Sequence, residues 1–181
     1  MIIRLANTAD AAAVAGIYGY HVLTGLGTFE ETPPPTEDIA GRIASVLSYG
    51  LPYLVAEEGG QVIGFAYAGP FRPRIAYRYT VEDSVYVAPD AVGRGVGRAL
   101  VTRVIADCEA LGLRQMFAVI GDSANAGSIG LHRALGFEPL GVAHGVGFKH
   151  GRWVDTVWMQ RALNGGEASA PTHAGLALGG G

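Results

Sequence analysis

Cysteine and lysine are almost absent: the 181 residues contain one of each, Cys108 and Lys149. A lone thiol cannot close an internal disulfide, and no His/Cys group has structural-zinc spacing, so a reducing compartment and no metal are expected. Long apolar runs are missing too. Gly or charge interrupts each of them before the roughly 20 residues that span a bilayer. The start, Met1-Ile2-Ile3-Arg4-Leu5, meets polar Asn7-Thr8 without a signal-peptide pattern. A cytoplasmic chain outside any membrane is expected. Positive charge is not in excess either. Thirteen Lys and Arg against sixteen Asp and Glu give a net charge of -3, which withholds the attraction that non-specific nucleic-acid binding relies on. No nucleic-acid partner is expected, and the preference for arginine over lysine reads as compositional bias.

What is present suits one folded domain: 49% of residues are apolar and 16% charged, ample for a core and too little charge for a disordered chain. Residues 2 to 5 read as a strand. Asn7 or Thr8 caps an Ala-rich helix to about Leu23, with Val14, Ile17 and Tyr18 on one face. After Pro33-Pro34-Pro35, Thr36 caps a second helix striped by Ile39, Ile43, Val46 and Leu47. Runs 53–58 and 61–68 are strands joined by Gly59-Gly60, a hairpin signal. An irregular segment 70–80 leads to a buried strand 81–87, stopped by Pro89. The stretch 98–111 has a helical apolar stripe that includes Cys108, a core position, and Gly112 ends it. Strand 115–120 follows, and two successive β-α units imply a parallel pair with a right-handed crossover. A short helix 128–135 and strands 137–142 and 153–161 complete a mixed α/β sheet of six to seven strands. The domain is expected to span 1–163, and the Gly- and Ala-rich segment 164–181 to be a disordered tail.

Gly93-Arg94-Gly95-Val96-Gly97-Arg98 sits between a strand and a helix, where free backbone N–H groups and a helix N-terminus hold an anion such as a phosphate or pyrophosphate. Arg98 and Leu100 occupy positions where a dinucleotide fingerprint needs a small residue. The sole lysine is followed by His150, not Ser or Thr, so no Walker loop is present.

Val85-Tyr86-Val87-Ala88-Pro89, the glycine loop and its helix, Asn125, and Leu131-His132-Arg133-Ala134-Leu135-Gly136-Phe137 together resemble the GNAT superfamily of acyl-CoA-dependent N-acetyltransferases. Thr80-Val81-Glu82-Asp83-Ser84-Val85-Tyr86-Val87 and Gly147-Phe148-Lys149-His150-Gly151-Arg152-Trp153 look like its phosphinothricin and L-amino acid (methionine sulfoximine) N-acetyltransferase branch. The resemblance covers residues 2 to 163. It implies a splayed parallel strand pair, acetyl-CoA as cosubstrate, a small amino-acid-like amine as acceptor, and a homodimer. The cofactor set it implies is Val85, Tyr86, Val87, Gly93, Arg94, Gly95, Val96, Gly97, Arg98, Asn125, Ser128 and His132. Val92 stands where the family loop opens with Gln or Arg, so Arg94 or Arg98 supplies the charge. His132 stands where many members carry a Tyr general acid, as it does in this branch.

Acetyl transfer needs a neutral amine, an oxyanion stabiliser and a proton for the departing thiolate. Glu82 is the expected general base, since a carboxylate beside a closed pocket has its proton affinity raised. His150 is a second candidate for proton traffic; His144 ranks lower, His21 reads as structural, and His173 lies in the tail. An amino-acid acceptor brings a carboxylate, which calls for a guanidinium, and Arg72 and Arg74 precede Glu82. Tyr77, Arg78 and Thr80 lie on the same approach, and Phe29 with Glu30 or Glu31 closes the other wall. Acetylation of a protein N-terminus or polyamine, or a non-catalytic acyl-CoA sensor, are the rival readings.

Overall fold

In the computed structural model, which describes residues 1–178, one seven-stranded sheet runs in the order β1-β2-β3-β4-β5-β7-β6. Its strands are β1 (Ile2–Leu5), β2 (Tyr53–Glu58), β3 (Gln61–Pro70), β4 (Thr80–Val87), β5 (Gln115–Gly121), β6 (Glu138–Lys149) and β7 (Arg152–Ala162). The helices are α1 (Ala11–Thr24), α2 (Thr36–Ser48), α3 (Val96–Ala110) and α4 (Ala126–Ala134). All neighbouring strands are antiparallel except β4 and β5, the parallel pair that α3 connects.

Alternation along the strands divides the core in two. On one face Tyr53, Val55 and Phe65 pack with Val14, Ile17, Tyr18 and Val22 of α1 and Ile39 and Ile43 of α2. On the other, Leu54, Ala66, Val81 and Met116 pack with Leu100, Val101, Val104, Ile105 and Cys108 of α3. Cys108 is fully buried, and burial pushes its thiol far above the ordinary range, which leaves it inert.

Two local expectations change. Thr36 is the first residue of α2, and Pro35 occupies the cap position, so no hydroxyl caps that helix. Asn7 caps the short 3-10 turn Thr8–Asp10 ahead of α1, in a reciprocal box with Asp10.

A larger difference lies at the C-terminus. Residues 164–178, expected as a disordered tail, lie against the body: Leu176 and Leu178 are buried in the α3-side core. Leu176 N donates to Arg78 O at 2.8 Å, and Tyr79 Oη donates to His173 O at 2.8 Å. The expectation for residues 179–181 falls outside the described part. The last hairpin is also longer than expected. β6 and β7 continue past the sheet as an arm that turns at His150-Gly151, with φ of 51° and 76°. These are the left-handed values of a two-residue hairpin loop.

Candidate active site

β4 and β5 pair only from Thr80 with Gln115 to Asp83 with Ala118, yet β4 runs on to Val87 and β5 to Gly121. Beyond Asp83 the two strands part, and the edge of β4 that faces β5 has no strand partner. A cleft of about 820 Å³ fills the gap. Its walls include Val85, Tyr86 and Val87 from β4, Gly93, Gly95, Val96, Gly97 and Arg98 from the loop into α3, and Asn125, Ser128 and His132 from α4. Eleven of the twelve expected cofactor residues thus meet around one space.

Local geometry explains why these residues are glycines. Gly93 and Gly95 have φ of 80° and 82°, left-handed values that let the chain double back and enter α3 with its first N–H groups unpaired. Gly97 is helical. A side chain there would sit 3.4 Å from Leu131 and 3.6 Å from Val87, inside the cleft. Asn125 accepts from Ser128 N at 3.1 Å and so caps α4 at the opposite wall. Such a glycine-lined space, facing the start of a fifteen-residue helix, fits the diphosphate and slender pantetheine arm of coenzyme A. Arg94 is the exception: it turns away and pairs with Glu58. Arg98 is the loop arginine that lines the cleft.

His132 is on the wall but is not free. Its Nδ1 donates to Ser128 O at 2.8 Å, and its Nε2 donates to Asp83 Oδ2 at 3.0 Å. Burial alone would depress the imidazole, but the hydrogen bond and charge of Asp83 outweigh it and raise its pKa. His132 is thus held by a buried carboxylate that favours its protonated form. Both ring N–H groups are committed, which leaves none to reach a leaving group directly.

Glu82 projects from the other face of β4, level with Gly69 of β3 and two residues before Ser84, which lies level with Tyr67. Burial raises its pKa, the nearby Arg72 guanidinium opposes that, and Asp83 adds to it. Arg72 lies over the Phe71 ring at 4.3 Å and donates to Phe71 O at 2.9 Å. Arg74 is exposed, ahead of the 3-10 turn Ile75–Tyr77. Tyr77 packs edge-on against Phe71, with ring centroids 5.7 Å apart, and Thr80 is half-buried on the Glu82 side of β4. Phe29, in the loop between α1 and α2, packs on Gly147 of the hairpin arm. His150 is not drawn inward: it is exposed in the turn of the arm, and nothing joins it to Glu82. The left-handed φ of His150 and Gly151 makes these two residues the loop of the hairpin, which holds the imidazole in the turn.

Residues that sequence reasoning missed also line the cleft. Gly25, Leu26 and Gly27 form its roof, and His21, read as structural, donates from Nε2 to Val87 O at 2.8 Å. Asp83 carried no signal beyond its place next to Glu82. A second cavity, of about 540 Å³, lies under α2 over the tyrosines Tyr18, Tyr53 and Tyr67. Among the described residues, no group of three or more His, Cys, Asp or Glu is placed to share a metal ion, and no helix is long and apolar enough to cross a membrane.

Known proteins share this arrangement. The chain is 53% identical over 169 residues to phosphinothricin N-acetyltransferase of Alcaligenes faecalis, covering 93% of this chain and 86% of the relative. It is 40% identical over 171 residues to L-methionine sulfoximine/L-methionine sulfone acetyltransferase of Salmonella typhimurium, covering 94% and 98%. Its fold superposes with a TM-score of 0.91 on a GNAT superfamily phosphinothricin acetyltransferase from Sinorhizobium meliloti solved with AcCoA, at 50% identity over 94% of this chain and 92% of that one. The model of the acetyltransferase (GNAT) family matches residues 20–137, the span from α1 through the glycine loop to the end of α4, and to that family this chain belongs.

Proposed function

We propose that the chain moves the acetyl group of acetyl-CoA to the primary amine of a small amino-acid-like acceptor, of the phosphinothricin or methionine sulfoximine kind, with Glu82 as general base. The observation that carries this reading is the half-buried Glu82 beside Arg72, on the strand whose far half has no partner on the side facing β5. The relatives named above act on such acceptors.

When bound, acetyl-CoA supplies a thioester that is already activated, so the chain's residues need only bind, orient and move protons. Backbone N–H groups of Gly93 to Arg98 hold the diphosphate, with Arg98 adding charge. The unpaired edge of Ser84 to Val87 offers backbone groups to the arm and to the reacting carbonyl. Glu82 takes a proton from the acceptor ammonium, and its raised pKa brings its basicity closer to that task. The freed amine then bonds to the thioester carbon as the C–S bond breaks, and the second proton shed by the nitrogen leaves with the thiolate as the free thiol. Arg72, rather than Arg74, is the anchor for the acceptor's acid group, being the arginine whose charge reaches Glu82.

Glu82→Gln tests this. Turnover of amino-acid acceptors should fall by about 10²- to 10⁴-fold with coenzyme A affinity by calorimetry unchanged, and wild-type kcat/KM should climb as pH rises through the raised Glu82 value. A loss under about threefold, with chemistry rate-limiting, removes Glu82 from the role.

The working unit we infer is a homodimer. Edge strand β6 and its arm expose Leu140, Val142, Val146, Phe148 and Trp153, the last at 69%, an edge rich in apolar side chains and suited to a second copy. Light scattering should give twice the chain mass, and Trp153→Glu should halve it.

A further inference from the structure

We propose that Lys149 is a positioning residue for the acceptor: its ammonium latches the hairpin arm to the loop that roofs the cleft, and so fixes where Phe29 stands. The idea rests on the acceptor reading above.

Lys149 is the last residue of β6 and 1% exposed, between Phe148 and His150, which are both exposed. The strand's alternation turns it inward. Its Nζ donates to Thr28 O at 2.8 Å, a backbone carbonyl with no charge to offset its own. Burial lowers its pKa against the opposing charges of Glu31 and Glu30. An apolar side chain would fill the same space at smaller desolvation cost, so what the ammonium adds is the link to Thr28.

That link closes a circuit around the loop. Thr28 Oγ1 hydrogen-bonds Tyr18 Oη at 2.7 Å, Tyr18 Oη donates to Glu30 at 2.9 Å, and both oxygens of Glu30 accept from Arg42 of α2. Helices α1 and α2 hold the loop on one side, and Lys149 holds it on the other. Just before it, Leu26 O occupies the place a Cβ of Gly121 would take, at 2.2 Å, so the roof rests on the end of β5. Phe29 stands between these ties. Its ring lies 2.4 Å from where a Cβ of Gly147 would be, which makes the arm its backing. The arm is also tied to the other side of the cleft, through Arg152 to Asp122 at 2.9 Å, and Gly145 N donates to Asp155 at 2.9 Å between its two strands.

The test compares Lys149→Met, Lys149→Arg and Gly147→Ala with the wild type. In Lys149→Met the acceptor KM should rise at least about tenfold, with coenzyme A affinity within about twofold and amide exchange over residues 25–31 at least about tenfold faster. Lys149→Arg keeps a donor and should restore much of the protection. Unchanged exchange and acceptor KM in folded Lys149→Met overturn the proposal, and so does an equal loss of coenzyme A affinity. Should Lys149→Met not fold, Gly147→Ala decides: it leaves the lysine but displaces Phe29, so it should raise acceptor KM alone, and an unchanged value refutes the latch. If the wild type acetylates no amino acid or analogue, the acceptor reading has failed, and the exchange comparison still decides the latch.

Discussion

Asp83 and Glu82 are neighbours in the chain and opposites in environment. Alternation sends Glu82 to the α1 side and Asp83 into the α3-side core, where its Oδ2 meets His132 and its Oδ1 is buried without a partner. A buried ion pair is costly to break, because removing one charge strands the other. The sign of its pH dependence follows from the raised imidazole. The folded chain holds the proton more tightly than the unfolded one, so the stabilisation is complete below the ordinary histidine value of about 6.5 and is lost as pH climbs through the folded value. Asp83→Asn should therefore cost about 3 kcal/mol at pH 6, and the gap to wild type in urea midpoints should shrink towards pH 9. A gap independent of pH would show that the pair is not charged. Candidate residues were legible where they follow from chemistry a sequence displays: a carboxylate in the Glu82 motif, an arginine ahead of it. The Asp83–His132 pair was hidden because its partners are forty-nine residues apart, and Arg94 and Arg98 stayed alternatives because a loop's sequence does not say which arginine turns out towards Glu58.

Elements were readable where one periodicity dominates. The apolar stripe of α3 and the Gly59-Gly60 hairpin appear as expected, within a residue or two. The far half of β6 is not legible in the sequence because Gly141, Gly145 and Gly147 erase the alternation that marks a strand, and two register shifts interrupt its pairing with β7. The glycine loop shows how conformation and space divide the work within one motif. Gly95 needs its left-handed φ, so a side chain there strains the backbone, whereas Gly97 needs only emptiness. Gly97→Val should thus raise the coenzyme A dissociation constant at least tenfold, about 1.4 kcal/mol. Helix propensity changes by only a few tenths of a kcal/mol, in favour of the valine, so folding should be little affected. Calorimetry beside thermal melting separates the two, and a variant that binds normally would place the cofactor outside this cleft.

For the whole molecule, the sequence boundary at residue 163 proves to be a boundary of composition and not of packing. A Gly- and Ala-rich segment reads as too poor in apolar surface to fold, but it needs no core of its own when it lies on one already built. Its glycines permit the approach: at Gly175 (φ 74°) a Cβ would meet Arg78 O at 2.8 Å, and His173 lies where Gly112 lacks a side chain, 2.2 Å from that point. Arg114 Nε donates to Gly166 O at 2.7 Å, and Leu176 and Leu178 enter the α3-side core at 6% and 8% exposure. Burial of two leucines contributes about 3 to 6 kcal/mol, and the cost of ordering the chain opposes it. A chain ending at Leu163 should fold and bind coenzyme A, since no described tail residue lines the cleft. It should melt lower by about 2 to 4 °C for each kcal/mol lost, and Leu176→Ala in the full chain should reproduce part of that shift. Identical melting curves for the truncated and full chains would mean that the segment contributes nothing to the core it touches.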